Sequence, residues 1–409
     1  MNFLELKTEE VNAIVDCDCG LTHDGNIEIC IDVELKNVLK GLKDKGRVLI
    51  IASVDIDKSY LDRLHESLIN EYEVIRFCSL SEDGYERMEG VDVIIAIGGE
   101  RLISRSKLLA HSYDTCLVVV PTQMDYADYY SSVSQVEYGE NELMRPSRSP
   151  DCIVVDTRLI LTLSKSCWAD NIGEVYSKAL SLFDYAYRSK IKGDGCDYIV
   201  QKALNILDEG LDYFDKNPQN VIKLVNTSIA IASLYKMTGM GIGGGDQVAR
   251  TLMRFSKNRE RKGTGRGEIK FLSSIVVSRL YVKFLSSNTN FGVWDVYEDM
   301  DKTRRLLGLD ELEVVRLAKE VKCDISDYKD FRVRTQKGDL LKVAKRCDEI
   351  LTKAHYKLMR IYPDGGYHVR YYLTSEEILR VLECAPFFTG GDTLLAFIKG
   401  CGMLTLTSA

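Results

Sequence analysis

The stretch VDVIIAIGGERLISRSKLL, residues Val91–Leu109, decides the fold class that this sequence predicts. Its segment Val93–Ile97 is a continuous apolar run rich in β-branched residues, which is typical of a strand buried on both faces. Gly98 and Gly99 follow at once, and apolar residues then recur at helical spacing. Because two glycines let backbone N–H groups approach a ligand and a helix N-terminus attracts negative charge, this unit suits a phosphate. A tight turn between a strand and a helix also needs glycine for steric reasons alone, so both interpretations stay open.

Similar units flank this stretch on both sides. Ile27–Ile31, Arg47–Ser53 and Cys116–Val120 are further strand-like apolar runs, and helical spacing covers Glu34–Lys43 and Ser59–Tyr72. Strands that alternate with helices in this way predict an α/β domain with a doubly wound, mostly parallel sheet. Ligands of such sheets bind at the carboxyl ends of the strands.

Three of these strand ends carry polar residues: Ser53–Asp57, Gly98–Arg101 and Pro121–Asp128. Asp55 or Asp57 could accept a hydrogen bond from a ribose hydroxyl. Acidic residues after a strand are also often solvated loop residues or helix caps, so this second interpretation of the two aspartates stays open.

From Ala169 onward the spacing of apolar residues is almost purely helical. The periodic segments are Ile172–Tyr187, Tyr198–Tyr213, Val221–Lys236, Gln247–Phe255, Ile269–Leu285, Leu312–Glu320, Leu340–Arg360, Ser375–Leu382 and Asp392–Lys399. We therefore predict a nucleotide-binding α/β domain over residues 1–165 and an all-helical domain over residues 166–409, with a boundary near Ser164–Ala169.

Composition and charge exclude several classes of partner. The chain has 409 residues, a formal net charge of −7 and a pI of about 5.5, so nucleic acid and anionic membranes are poor general partners. No apolar run approaches about 20 residues and Met1–Glu10 has no signal-peptide pattern, so we expect a cytoplasmic protein without a membrane span. The twelve cysteines are scattered, which indicates reduced thiols. Assembly into a homo-oligomer stays open.

Six short motifs follow one another along nearly the whole chain. They are Cys17–Gly20 with His23, the turn from Ile97 to Lys107, the stretches Pro121–Ser131 and Pro150–Asp156, Gly173–Lys178 (GEVYSK), and Ala385-Pro386 with Thr393. In this order they resemble the sn-glycerol-1-phosphate dehydrogenase family, within the superfamily of dehydroquinate synthases and iron-containing alcohol dehydrogenases. The resemblance implies a dehydroquinate synthase-like fold, in which a Rossmann-like domain precedes a helical domain that carries the metal site in relatives.

The resemblance also implies an oxidoreductase that uses NAD or NADP and a small phosphorylated substrate. The cofactor would be bound by strand-end residues, namely Asp55, Gly98, Gly99, Arg101 and Thr122. The substrate would be bound by Asp125, Gln247 and Arg266. The catalytic residues would be Glu174, Lys178 and Arg266.

The chain departs from the family at the positions that hold a divalent metal. Family members use an aspartate at the start of the helical domain and two later histidines, and these positions fall on Glu174, Gln247 and Arg266. Glutamate can ligate zinc, whereas glutamine is a poor ligand and arginine offers no lone pair. We therefore predict that the metal is absent and that the standard metal-dependent activity is lost or altered.

The cofactor end is altered as well. Glu100 stands where the family has the third glycine of its turn, and its carboxylate would face the charge of a pyrophosphate, with Arg101 beside it. The segment Asp125–Tyr130 (DYADYY) replaces a Ser/Gly-rich segment. Its three tyrosines would either fill the nicotinamide space or form an aromatic binding surface. These changes indicate an altered or absent dinucleotide.

Three charged features could act where the metal is lost. Arg266 could hold an oxyanion through its guanidinium or pair with Glu174, and we favour the pairing because a buried charge needs a partner. Lys178, one helical turn after Glu174, could bind a substrate phosphate or form an i,i+4 ion pair. The basic run Arg254–Lys270 could capture a phosphorylated ligand or form a solvated, mobile loop.

Three functions stay open on this reasoning. The first is an NAD(P)-linked oxidoreductase of the glycerol-1-phosphate dehydrogenase type with a reworked site. The second is a non-catalytic pseudoenzyme that binds a phosphorylated ligand or a nucleotide, or stabilises a partner. The third is a metal-free lyase or cyclase related to dehydroquinate synthase, in which Lys178 and Glu174 act as acid and base.

Overall fold

A computed structural model describes residues 29–42, 46–77, 90–138, 141–193, 195–238, 243–257, 265–287, 327–363, 381–382, 384–385 and 393–400. The chain divides into two compact units. The α/β unit comprises Asn26–Ser164 and Lys216–Ser233, and the helical unit includes Lys165–Asp215 and Leu234–Ala409. The segment Lys216–Ser233 follows position 165 in the sequence but is part of the α/β unit. The domain limits 1–165 and 166–409 stay predictions.

The α/β unit is built on a parallel sheet. Its strands are β1 (Ile29–Ile31), β2 (Arg47–Ala52), β3 (Glu73–Phe77), β4 (Val93–Gly98), β5 (Cys116–Pro121), β6 (Val133–Tyr138), β7 (Asn141–Pro146) and β8 (Cys152–Val155). The parallel sheet has the strand order β1-β8-β5-β4-β2-β3, and β6 and β7 pair as an antiparallel hairpin. The central strand β4 is buried along its whole length. This confirms the predicted doubly wound, mostly parallel sheet, whereas β8 and the hairpin were not identified from the sequence.

The helices of this unit cover the sheet and form its core. They are α1 (Leu35–Leu42), α2 (Lys58–Leu68), α3 (Glu100–Tyr113), α4 (Tyr126–Tyr130) and α5 (Thr157–Thr162). Alternate residues along a strand point to the same face of a sheet. Ile50 of β2 and Ile95 of β4 therefore share one buried face, and they lie in one core with Leu39 of α1 and Leu64 of α2.

The helical unit contains the longest helices of the chain that are described. The helices that follow α5 in the sequence are α6 (Lys165–Lys192), α7 (Asp197–Gly210), α8 (Pro218–Thr238), α9 (Gly244–Lys257), α10 (Arg266–Ser286), α11 (Asp327–Ile361) and α12 (Leu394–Gly400). Most of α8 belongs to the α/β unit, which includes Lys216–Ser233. The central helix α6 is buried on nearly all sides and packs against α10 and α11. None of the helices in the described ranges combines the length and the apolar character needed to cross a membrane.

The basic run Arg254–Lys270 differs from the predicted loop. α9 extends to Lys257 and α10 begins at Arg266, so both ends of the run are helical. The prediction of a solvated, mobile loop is wrong for Lys270, which is only 3% exposed. Several predictions lie outside the described residues: those on Met1–Glu10, Cys17–Gly20, His23, Arg259, Arg261, Lys262, Leu312–Glu320 and most of Ser375–Leu382.

Candidate functional site

The glycine turn between β4 and α3 has a backbone that requires glycine. Gly98 has a φ of 155°, a conformation that residues with a side chain rarely adopt. A Cβ at Gly98 would lie 3.1 Å from the side chain of Ser53, and one at Gly99 would lie 2.9 Å from Oε1 of Gln123. The steric interpretation of the two glycines therefore accounts for Gly98 without any ligand.

Gln123 occupies the N-terminus of α3. The backbone N–H of Glu100 donates a hydrogen bond to Oε1 of Gln123 over 3.0 Å. This N–H is one of the donors that a phosphate at a helix N-terminus would use. Sequence reasoning missed Gln123, because its contact depends on the pairing of β5 with β4, where Pro121 lies opposite Gly98.

The predicted cofactor residues share one edge of the sheet. Asp55 follows β2, and Thr122 follows β5. Gly98 is the last residue of β4, and Gly99 comes next. These three strands are neighbours in the sheet. The N–H of Thr122 donates to the carbonyl oxygen of Gly98 over 3.0 Å, and its side chain is buried. Asp55 and Arg101 are exposed. The five residues therefore lie at the carboxyl ends of three adjacent strands.

The segment after this edge is buried. Asp125 immediately precedes α4 and is 4% exposed, while Tyr126 and Tyr129 are each 1% exposed. The two tyrosine rings meet edge to face, with centroids 6.3 Å apart. Burial raises the pKa of Tyr126, whose hydroxyl has no hydrogen-bond partner within the described part of the chain. The filled-space interpretation therefore fits Tyr126 and Tyr129, and the aromatic binding surface is wrong for them.

The helical unit holds four charged side chains that interact, Glu174, Lys178, Asp246 and Lys270, which we call the charged cluster. Nζ of Lys270 donates to Oε1 of Glu174, and these side chains are only 3% and 9% exposed. Nζ of Lys178 lies 3.9 Å from the same carboxylate oxygen, so the i,i+4 ion pair predicted for Lys178 is present. The same ammonium lies 5.4 Å from the centroid of the Tyr235 ring, within range of a cation–π interaction.

Asp246, on the first turn of α9, is the second carboxylate of the charged cluster. Burial raises its pKa, but the positive charges of Lys270, Lys178 and Arg250 outweigh this effect and bring the pKa below its usual value. Its Oδ2 also accepts a hydrogen bond from the hydroxyl of Ser181 over 3.1 Å. The carboxylate is therefore ionised at neutral pH.

A close crossing of α6 and α10 brings the charged cluster together. A Cβ at Gly173 would lie 2.7 Å from the carbonyl oxygen of Gly267, and a Cβ at Gly267 would lie 2.1 Å from that of Asp170. Oδ1 of Asp170 also accepts a hydrogen bond from a backbone N–H in the first turn of α10 over 2.9 Å, which caps that helix. The crossing places Lys270, one turn into α10, beside Glu174, the residue after Gly173.

Of the three positions to which the resemblance assigns the metal, two have other hydrogen-bond partners here. The Glu174 carboxylate binds the Lys270 ammonium. Gln247 is fully buried, and its Oε1 accepts a hydrogen bond from the hydroxyl of Thr393 over 2.9 Å. Arg266, the first residue of α10, has no lone pair to offer. Among the residues that the structure describes, no three His, Cys, Asp or Glu side chains group in a way that could hold a metal ion.

Lys270 is the main residue of this site that sequence reasoning missed. It was counted only within the basic run, and Arg266 was the favoured partner of Glu174. One signal could have identified it: the eight residues that follow, Phe271–Ser278, carry no charge. A helical segment without charge on any side is typical of a buried helix, so a lysine at its start needs a buried partner.

The fold is that of the iron-containing alcohol dehydrogenases. An archaeal halo-thermophilic alcohol dehydrogenase from a Red Sea brine pool matches with a TM-score of 0.59 at 12% sequence identity, over 95% of this chain and 99% of that chain. A maleylacetate reductase from Rhizobium sp. strain MTP-10005 matches with a TM-score of 0.58 at 11% identity, over 89% of this chain and 91% of that chain. At such identities the likeness shows the fold alone.

Sequence comparisons add similarity to a more specific group of proteins. Residues 30–162 match the family described as iron-containing alcohol dehydrogenase. The glycerol-1-phosphate dehydrogenase [NAD(P)+] of Methanoregula boonei is 24% identical over 194 residues, 46% of this chain and 54% of the relative. That of Pyrobaculum neutrophilum is 25% identical over 171 residues, 40% of this chain and 47% of the relative. The matched segment thus spans about half the length of these relatives. These matches confirm the resemblance to the glycerol-1-phosphate dehydrogenases within the iron-containing alcohol dehydrogenase superfamily.

Proposed function

We propose that the chain is an NAD(P)-linked oxidoreductase that acts on a small phosphorylated hydroxy or keto compound. Its relatives support an oxidoreductase by resemblance. The observation that carries the proposal is the sheet edge shared by Asp55, the Gly98–Gly99 turn and Thr122. In open parallel sheets, dinucleotides bind at this kind of edge.

The residues at this edge fit a dinucleotide, with two features that weaken binding. The Gly98–Gly99 turn and the start of α3 would hold the pyrophosphate through backbone N–H groups, and Asp55 would accept a hydrogen bond from a ribose hydroxyl. When bound, NAD(P) supplies hydride exchange with the substrate carbon. Gln123 must release the N–H of Glu100 before a phosphate can use it, and the Glu100 carboxylate repels a phosphate.

The charged cluster of the helical unit is the proposed substrate site. Lys178 and Arg266 would hold the anionic part of the substrate, and Lys178 with Glu174 would exchange the hydroxyl proton. The support for this assignment is the burial of Glu174, Lys178 and Lys270, because desolvated ionisable groups with specific charge partners are typical of functional sites.

Titration with NADH and with NADPH, followed by nucleotide fluorescence, tests the cofactor part of the proposal. Glu100→Gln removes a like charge from the first turn of α3, where such a charge costs a bound anion roughly 0.3–1 kcal/mol. We therefore expect the Kd to fall about two- to five-fold. The matched control is Glu66→Gln, which removes an exposed glutamate of α2 and should leave the Kd unchanged. The proposal is refuted if neither nucleotide binds the wild-type chain or Glu100→Gln at millimolar concentration.

A second candidate function is a non-catalytic protein that binds a phosphorylated ligand. The bond between Gln123 and the Glu100 N–H favours it, because this bond occupies a donor that a dinucleotide phosphate would use. Burial of Tyr126 and Tyr129 favours it in the same way. Titration with glycerol 1-phosphate in the absence of nucleotide separates the two candidates: saturable binding without any nucleotide binding supports the second.

A further inference from the structure

The cation bound to the Glu174 carboxylate is the side-chain ammonium of Lys270. Lys270 is 3% exposed and donates to Glu174, and it reaches this position because α6 and α10 cross in backbone contact at Gly173 and Gly267. A buried carboxylate needs a compensating charge. The Lys270 ammonium supplies one whole positive charge within hydrogen-bonding distance.

The residues at the three positions that the resemblance assigns to the divalent metal do not fit that metal. Oε1 of Glu174 binds the ammonium, the amide oxygen of Gln247 binds Thr393, and Arg266 has no lone pair. A divalent cation at Glu174 would also face the Lys270 ammonium at close range, and like charges in a buried setting repel strongly. Binding of such a metal would therefore require Lys270 to leave.

We propose that the Lys270 ammonium takes the place of the divalent metal as the cation held by Glu174, so that the charged cluster assembles without a metal ion. The assignment of the cluster as a substrate site rests on the proposed function, whereas the replacement of the metal by Lys270 does not. Lys270 acts through Glu174 and is a positioning residue. Its effect is to fix the Glu174 carboxylate, with which Lys178 also interacts.

Metal analysis and thermal unfolding of the full chain test this proposal. The protein is dialysed against EDTA, its metal content is measured, and its Tm is recorded with and without Zn²⁺, Ni²⁺ or Mn²⁺. We expect no stoichiometric metal and no change in Tm on addition of any of the three ions. A stoichiometric metal that survives dialysis, or a metal-dependent rise in the wild-type Tm, overturns the proposal.

Variants of the ion pair supply a second readout. Lys270→Met removes the ammonium but keeps much of the side-chain volume, so Glu174 loses its bonded cation and we expect the Tm to fall by about 5 °C or more. Lys270→Arg keeps the charge and should recover part of this loss. The double variant Glu174→Gln/Lys270→Met removes both charges and should recover more than half of it. The matched control is Lys283→Met, at an exposed position of α10, which should change the Tm by less than about 1 °C.

These variants keep the proposal falsifiable even where one of them fails to fold. If Lys270→Met is insoluble, a soluble and folded double variant is the expected result, and an equally insoluble double variant contradicts it. A Lys270→Met protein as stable as the wild type also contradicts it. Failure of the nucleotide titration would remove the proposed function but would leave the metal content and the Tm comparison unaffected.

Discussion

The substitution Gly173→Ala tests the helix crossing that assembles the charged cluster. The added Cβ would lie 2.7 Å from the carbonyl oxygen of Gly267, roughly 0.7 Å closer than ordinary van der Waals contact allows. The opposing atom belongs to the backbone of α10, so no side chain can rotate away. Relief requires α6 and α10 to separate, and this movement would also draw Lys270 away from Glu174.

Two opposing contributions determine the size of the effect. Alanine in place of glycine stabilises a helix interior by about 1 kcal/mol. Overpacking of a well-packed core costs about 1–3 kcal/mol, and a contact between two backbones belongs at the upper end of that range. We therefore expect Gly173→Ala to lower the free energy of unfolding by about 2 kcal/mol. The matched control is Gly338→Ala in α11, where a Cβ meets no atom within 4 Å, so the same substitution should stabilise by about 0.5–1 kcal/mol.

Urea unfolding followed by tryptophan fluorescence measures both variants. Trp168 lies buried in α6, where its indole N–H donates to the carbonyl oxygen of Phe214, so its emission reports on the helical unit. The two glycine variants should move the unfolding midpoint in opposite directions. If Gly173→Ala raises the midpoint as Gly338→Ala does, the two helices are not in backbone contact, and the account of how Lys270 reaches Glu174 is refuted.

Two further predictions concern pH and the helix N-terminus of the α/β unit. Burial raises the pKa of Asp184 to about 7 in the folded chain from an ordinary value of 3.8, despite hydrogen bonds from Tyr281 and from the N–H groups that open α9 and α12. As the pH rises, the unfolded chain therefore loses this proton before the folded chain does. The free energy of unfolding should fall between pH 3.8 and about 7, by up to about 1.4 kcal/mol per pH unit, and should level off above this range. An Asp184→Asn variant with the same pH profile as the wild type would contradict this. Gln123→Ala exposes the Glu100 N–H to a phosphate and should tighten NADH binding about two- to five-fold in fluorescence titrations, whereas weaker binding would mean that Gln123 itself contacts the nucleotide.

The sheet was predictable where the sequence carried a strong local pattern. β2, β4 and β5 are apolar runs rich in β-branched residues, and each follows its predicted segment closely. β8 has only four residues and the helix that follows it, α5, has only six, so both are short and lie beside the predicted domain boundary. The β6–β7 hairpin was not predicted either, because its strands pair antiparallel and lie outside the alternation of strands and helices on which the prediction rests.

The contacts of the candidate site were less predictable than its location. The strand ends that carry Asp55, Gly98 and Thr122 follow from the alternation of strands and helices. The bond from the Glu100 N–H to Gln123 depends instead on how β5 and β4 align. The partner of Glu174 likewise depends on a tertiary crossing between two helices that are nearly 100 residues apart in sequence. The uncharged segment Phe271–Ser278 indicates that Lys270 is buried, but no local pattern identifies Glu174 as its partner.

The composition of the charged cluster supports the proposed substrate site, because stability alone does not call for these charges. Removing two carboxylates and two ammonium groups from water costs several kcal/mol per ion, and apolar side chains of similar volume often stabilise a core equally well or better. α6 and α10 would readily accept such side chains, because both helices are buried at most positions. Apolar side chains at these four positions could therefore supply as much stability as the four charges do. With the Lys270 ammonium bonded to Glu174, the second ammonium, that of Lys178, lies 3.9 Å from the same carboxylate oxygen, and it is the cation that we propose to meet a substrate oxygen.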